Sequence, residues 1–114
     1  AIEELRPDLP SPQGYRVMIA VAKFSEMKGS IYLPDQYVEL ENTAAILGKV
    51  LALGPDCYVD PKKFPNGPFC KVGDWIMFKV YSGTRFRVKG QELRLINDDQ
   101  IEARITDLSI IERI

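Results

Sequence analysis

Short segments in which apolar and polar residues alternate, separated by glycine and proline, recur along this 114-residue chain and constrain its fold. A period of two is typical of β-strands that turn one face toward a core. No stretch sustains the 3.6-residue period of a helix. The pattern predicts an all-β domain, a small barrel or sandwich. The expected strands are Tyr15–Ala22, Ala45–Leu53, Trp75–Val80, Arg85–Lys89, Glu92–Ile96 and Ile101–Thr106.

Composition excludes several classes of function. Fifteen Lys and Arg against sixteen Asp and Glu leave a net charge of −1, which gives no global attraction to nucleic acid or to an acidic membrane. The absence of histidine removes histidine-based triads and every zinc site with a histidine ligand. No run approaches the roughly 18 apolar residues of a membrane span, and residues 1–12 do not resemble a signal peptide. We therefore expect a cytoplasmic protein without a membrane partner.

The carboxylate pair Asp98-Asp99 is a candidate for acid–base chemistry. A surface turn explains it better, because no activated nucleophile and no phosphate-binding glycine loop accompanies the pair. We therefore expect no catalytic residue, no metal ligand and no cofactor in this chain.

Cys57 and Cys70 stand at the two ends of a segment rich in proline and glycine, which indicates a loop or an irregular hairpin. In a cytosolic protein we expect two reduced thiols. The alternative is a disulfide formed in an oxidising compartment, which would contribute about 3 kcal/mol.

Six motifs, in order and spacing, resemble those of the GroES-type co-chaperonins, the chaperonin small-subunit family. The motifs are Tyr15-Arg16-Val17, Gly29–Pro34, Gly48–Pro55, Lys71–Asp74 with Ile76 and Phe78, Tyr81–Thr84 with Val88–Leu93, and Asp98–Ile101 with Ala103. The resemblance covers roughly Pro12 to Ile105 and implies a single GroES-like domain, an irregular β-barrel. It divides the chain into an N-terminal arm (1–12), a mobile loop (25–44), a roof hairpin (56–70) and a C-terminal extension (107–114).

The mobile loop of the family corresponds here to the segment around Ile31-Tyr32-Leu33. The resemblance implies that a GroEL-type chaperonin is bound by Gly29, Ser30, Ile31, Tyr32, Leu33 and Pro34. The polar residues around this apolar tripeptide cannot bury much area, which favours a binding segment. The alternative is a short strand packed on its own barrel. Ser30 replaces a glycine of the family pattern and Tyr32 an aliphatic residue, departures that suit a virus-encoded member as well as a cellular one.

Two further sets of residues are implied by the resemblance. The roof set is Tyr58, Phe64, Asn66, Gly67 and Phe69. Its three aromatic rings are expected to line the roof or to lie along subunit contacts. The alternative is that they cover the end of their own barrel. In the family, the first strand of one subunit pairs with the last strand of its neighbour, so the subunit-interface set is Tyr15, Val17, Ile19, Ile101, Ala103 and Ile105.

Two surface features remain. One is a basic hairpin face formed by Arg85, Arg87, Lys89 and Arg94, which we expect to be solvated, with a nucleic-acid surface as the alternative. The other is the apolar segment Leu108–Ile114. It is a candidate for a further short strand and is expected to pack on the barrel or at a subunit contact.

The resemblance implies a non-enzymatic co-chaperonin. It would form a homo-heptameric ring that caps a GroEL-type chaperonin in an ATP-dependent manner, with ATP bound by the partner, and encloses unfolded client proteins. It would lie in the cytoplasm, that of the host if the chain is virus-encoded. The alternative is a monomeric barrel of the OB or SH3-like kind that binds nucleic acid or another ligand, and the mass in solution separates the two.

Overall fold

A computed structural model describes residues 9–22, 43–111 and 113–114. Its strands are β1 (Arg16–Val21), β2 (Leu47–Leu53), β3 (Trp75–Met77), β4 (Thr84–Val88), β5 (Gln91–Asn97) and β6 (Ala103–Ile105). They form one antiparallel sheet in the order β4-β5-β1-β2-β3-β6. The predicted all-β class is confirmed, and the sheet is consistent with a GroES-like β-barrel.

Strand β1 lies at the centre of this sheet. It pairs with β2 along one edge and with β5 along the other, and its register with β2 shifts between Met18 and Ile19. Val17, Ile19 and Val21 alternate along the strand and enter the main core. That core also contains Val50, Cys70, Ile76, Phe78, Ile96 and Ile101.

The other face of β1 is also covered. Met18 packs in a second cluster with Leu51 and Leu93, and Leu9 of the N-terminal arm contacts this cluster. The described end of the predicted N-terminal arm therefore packs on the sheet through Leu9. From Val17 to Val21, both faces of β1 therefore lie against apolar clusters.

Three predicted strands differ from those observed, and one of them, predicted over Ile101–Thr106, spans only Ala103–Ile105. The strand that begins at Trp75 ends at Met77 and not at Val80, because a turn closed by the Ser82 N–H and the Lys79 carbonyl (2.9 Å) follows it. The segment after β6 contains a short 3-10 turn, Leu108–Ile110, in place of a strand. Its residues bond locally, and the Ile111 N–H donates to the Leu108 carbonyl at 3.2 Å.

The hairpin formed by β4 and β5 agrees with the sequence, since Val88 pairs with Gln91 across a two-residue turn. Lys89 (φ 47°) and Gly90 (φ 86°) occupy that turn with positive φ, as a tight hairpin of this length requires.

Arg94 corrects the predicted basic face of this hairpin, because its side chain is only 1% exposed. Its guanidinium donates to the carbonyls of Val80 and Ser82 and lies 3.1 Å from a carboxylate oxygen of Glu92. It also stacks over the Phe78 ring, 4.9 Å from the centroid. The side chain is held within the fold by backbone carbonyls, and the exposed basic residues of the hairpin are Arg85, Arg87 and Lys89.

We predict that Gly83→Ala destabilises the fold much more than Gly67→Ala. Both glycines have positive φ (71° and 89°), so both alanines incur similar backbone strain. A Cβ at Gly83 would lie 2.0 Å from the Leu95 carbonyl oxygen, whereas one at Gly67 has nothing within 4 Å. The difference should be at least about 2 kcal/mol, measured by urea unfolding at one protein concentration. Equal unfolding midpoints would contradict the close approach at Gly83.

Candidate functional site

The residues expected to bind a chaperonin, Gly29 to Pro34, lie outside the described residues. That assignment stays a prediction. The structure does describe the roof segment, the edge strand β6, and the two places where residues 23–42 join the sheet, next to Ala22 and Thr43.

The three aromatic residues of the roof set form one cluster. The ring centroids are 4.9 Å apart for Tyr58 and Phe64, 5.1 Å for Phe64 and Phe69, and 5.5 Å for Tyr58 and Phe69. Two of these pairs are edge-to-face, an arrangement favoured by the ring quadrupoles. Tyr58 also packs against the main core, and Phe64 is buried. These two rings therefore pack within their own chain. The assignment of the set to a roof, and the alternative that it covers the end of the barrel, both stay predictions.

A turn after β5 anchors the roof segment to the barrel. The carboxylate of Asp98 accepts a hydrogen bond from the Tyr58 N–H at 3.0 Å, and the Asp98 carbonyl accepts one from the Tyr58 hydroxyl at 2.7 Å. The Asp98 N–H in turn donates to the Tyr15 carbonyl at 3.0 Å. Beside it, Lys63 and Asp99 form an ion pair at 2.8 Å. Asp98 thus connects Tyr58 of the roof segment to Tyr15, the residue before β1.

The expectation of a surface turn is therefore wrong for Asp98, which is 2% exposed, and right for Asp99, which is exposed. Sequence reasoning missed Asp98 as an anchor because its partner, Tyr58, is 40 residues away along the chain. No local pattern marks that contact.

The remaining roof residues lie at the surface. Asn66, Gly67 and Phe69 line a shallow depression of about 350 Å³, whose other wall is Ile101–Arg104. The roof segment and the edge strand β6 are therefore neighbours in space. Their assignment to the roof stays a prediction.

Cys57 precedes Tyr58 in the sequence, and Cys70 contacts the hydroxyl of Tyr58. Neither cysteine forms a disulfide. The Cys57 thiol donates to the Arg16 carbonyl at 3.2 Å, and the Cys70 sulfur lies 3.5 Å from the Tyr58 hydroxyl. Burial raises the pKa of Cys57 to about 11 and also raises the pKa values of Cys70 and Tyr58. All three groups are therefore protonated at neutral pH, and both thiols are poor nucleophiles.

The structure corrects the subunit-interface set for three residues, which are buried in the core of their own chain. Val17 and Ile19 are fully buried in the core of their own chain, and β1 has partner strands on both edges, so neither residue offers surface to a neighbour. Ile101 is also buried in this core. Tyr15 and Ala103 are exposed and Ile105 is half-buried. A subunit contact at those three residues stays a prediction.

Two searches for other kinds of site were limited to the described ranges. Within them, no group of three His, Cys, Asp or Glu residues is placed to hold a metal ion. In the same part of the chain, no helix is long and apolar enough to span a bilayer.

Comparison with known proteins supplies the family. The profile of the chaperonin 10 Kd subunit matches residues 11–105. The co-chaperonin GroES of Syntrophomonas wolfei is 32% identical over 97 residues, covering 82% of this chain and 95% of the relative. That of Gemmatimonas aurantiaca is 30% identical over 96 residues, with coverages of 83% and 93%. That of Clostridium botulinum is 33% identical over 93 residues, with coverages of 81% and 92%.

We predict that the neighbouring substitutions Asp98→Ala and Asp99→Ala have very different costs. The first leaves the Tyr58 N–H without an acceptor in a part-buried position and should cost about 2 kcal/mol. The second removes an exposed ion pair, which contributes little. Urea unfolding of both variants at one protein concentration measures the difference. Similar losses would show that Asp98 is not the anchor.

We predict that native Cys57 resists alkylation at pH 8 and reacts faster as the pH approaches 11. Only the thiolate reacts, and the folded pKa of about 11 exceeds the ordinary value of 9.0. For the same reason, stability contributed by the neutral thiol is present below pH 9 and is lost as the pH rises through 11. Mass spectrometry of labelled Cys70→Ser protein follows the reaction, with urea-unfolded protein as the control. Equal native and unfolded rates at pH 8 would contradict the protection of the partly buried Cys57 thiol.

Proposed function

Because the chain belongs to the chaperonin 10 Kd subunit family, we propose that it binds a GroEL-type chaperonin through Gly29–Pro34 and closes the cavity of that partner. Its family consists of co-chaperonins, which are non-enzymatic, act with a GroEL-type chaperonin and oligomerise. The chain is therefore a co-chaperonin. The observation that carries the proposal is the family match over residues 11–105, which includes the proposed binding segment and all six strands.

The chemistry of the proposed binding segment suits a weak contact that is repeated. Burying Ile31 and Leu33 in a chaperonin groove would gain roughly 1.5–3 kcal/mol each. Ordering about ten backbone residues costs on the order of 10–20 kcal/mol before new hydrogen bonds form. One copy alone would therefore bind weakly. Several copies on one ring bind stably, because each later contact is intramolecular.

We further propose that the ring contains seven copies. The sheet ends at β6, which pairs with β3 and has no second partner strand among the described residues. An unpaired edge favours strand addition from a neighbour. Tyr15, Ala103 and Ile105 retain surface for such a contact, whereas Val17 and Ile19 do not.

The proposed activity takes place in the cytoplasm, that of the host if the chain is virus-encoded. The chaperonin binds and hydrolyses ATP, and unfolded client proteins fold inside the closed cavity. A monomeric binding module is not favoured, since the family match accounts for the whole sheet.

We predict that the double substitution Ile31→Ser, Leu33→Ser abolishes co-sedimentation with a GroEL-type chaperonin in the presence of ATP and leaves the ring mass unchanged. It removes the apolar side chains that would enter the chaperonin groove. The matched control is Arg85→Ser, Arg87→Ser, which changes two exposed side chains of β4 and should bind normally.

Two results would count against this function. Chaperonin binding that survives the double substitution would refute the assigned segment. A wild-type mass of 12.9 kDa in solution, with no chaperonin binding at any nucleotide concentration, would support the monomeric module instead.

A further inference from the structure

We propose that the segment of residues 107–114, here called the clamp, positions both ends of residues 23–42 and thereby sets the affinity for the chaperonin. This inference rests on the proposed function. The clamp lies beyond residue 105, where the family match ends, so the match does not account for it.

The clamp packs on the two junctions of residues 23–42. Leu108 and Ile111 join a third apolar cluster, whose buried members are Ala22, Ala44 and Leu47. Ala22 is the residue before the segment 23–42, and Ala44 follows it closely. One cluster therefore holds both junctions. The clamp had been expected to pack either on the barrel or at a subunit contact, and Leu108 and Ile111 pack on the barrel.

Hydrogen bonds fix the same junctions. The Arg113 N–H donates to the Thr43 hydroxyl at 3.1 Å, and Thr43 is 4% exposed. The Ala22 N–H donates to the Leu47 carbonyl at 2.8 Å, which ties the first junction to β2. The Thr43 carbonyl accepts from the Ile46 N–H at 3.2 Å. The clamp is therefore bonded directly to the second junction through Thr43, and the first junction is bonded to β2 through Leu47.

The turn within the clamp places its apolar side chains. In a 3-10 turn, side chains three residues apart lie on the same side, so Leu108 and Ile111 face the cluster together. Ile110 lies between them in sequence and is 72% exposed. The clamp thus presents a packed side and a solvent side within four residues.

Fixed junctions lower the entropic cost of binding. A chain segment whose two ends are held at a set separation and direction loses less conformational freedom when a partner orders it. Releasing the clamp would leave Ala22 and Thr43 less restrained and raise that cost in every copy. Because a ring makes several contacts at once, a small cost per copy becomes a large loss of affinity for the ring.

The test compares two pairs of variants in the full chain. Ile111→Ser removes a packed side chain, and Ile110→Ser makes the same chemical change on the solvent side. Thr43→Val removes the hydroxyl that accepts from the Arg113 N–H, and Thr43→Ser keeps it. Gly83→Ala is the control for stability, since it disturbs the fold at Leu95, outside the third cluster.

Binding to a GroEL-type chaperonin with ATP is measured where every variant is folded and its ring mass is unchanged. We expect Ile111→Ser and Thr43→Val to weaken binding at least about tenfold, and Ile110→Ser, Thr43→Ser and Gly83→Ala to stay within about twofold of wild type. Amide hydrogen exchange should become faster at Ala22 and Ala44 in the weakened variants and stay unchanged in β5.

Three outcomes would overturn the clamp. Wild-type affinity in Ile111→Ser and Thr43→Val would show that the junctions need no support. Loss of the ring mass in those variants would make the segment a subunit contact instead. If Gly83→Ala weakened chaperonin binding equally, the loss of affinity would be explained by lower fold stability alone. Failure of the proposed function has a separate signature, because the wild type itself would not bind while hydrogen exchange at the junctions would still report the clamp.

Discussion

The fold depends on a single strand, β1, that is paired along both edges and covered on both faces. Such a strand satisfies its backbone within the sheet and buries alternate side chains in two clusters. Because both of its faces are apolar, alternation alone does not fix its register. The register of β1 with β2 shifts between Met18 and Ile19. Such an irregularity helps to fix a single alignment of the two strands, which a regular ladder of hydrogen bonds would leave undetermined. Val17 and Ile19 therefore have no surface left for a contact with another subunit.

Much of this fold could be predicted because strand alternation is a local signal. The segments around β4 and β5 show it directly, and the two-residue turn of the β4–β5 hairpin follows from Gly90. Arg94 could not be predicted in the same way. An arginine in an alternating segment has the pattern of an exposed residue, and its carbonyl acceptors at Val80 and Ser82 approach it only once the sheet has formed. Its burial is a tertiary property.

The residues of the candidate site also differ in whether a local sequence signal or a tertiary contact determines them. The family motifs predict the roles of Gly29–Pro34 and of the roof residues from their order and spacing in the sequence alone. The resemblance also placed Val17 and Ile19 at a subunit contact, because it carries over a strand and not the exposure of individual side chains. Asp98 shows the complementary failure. Its neighbours in sequence are those of an exposed turn, while its hydrogen-bond partner belongs to the roof segment.

The roof segment and the junctions of residues 23–42 are held by different apolar clusters. Tyr58 and Cys57 pack against the main core, whereas Leu108 and Ile111 pack with Ala22 and Ala44. Side chains that share no partner affect stability almost additively, so a change in one cluster leaves the other largely unaltered. What the clusters share is the sheet itself, since β1 leads directly to Ala22 and β2 contributes to both. Substitutions in one cluster should therefore be tolerated independently of substitutions in the other, provided that the alignment of these two strands is kept.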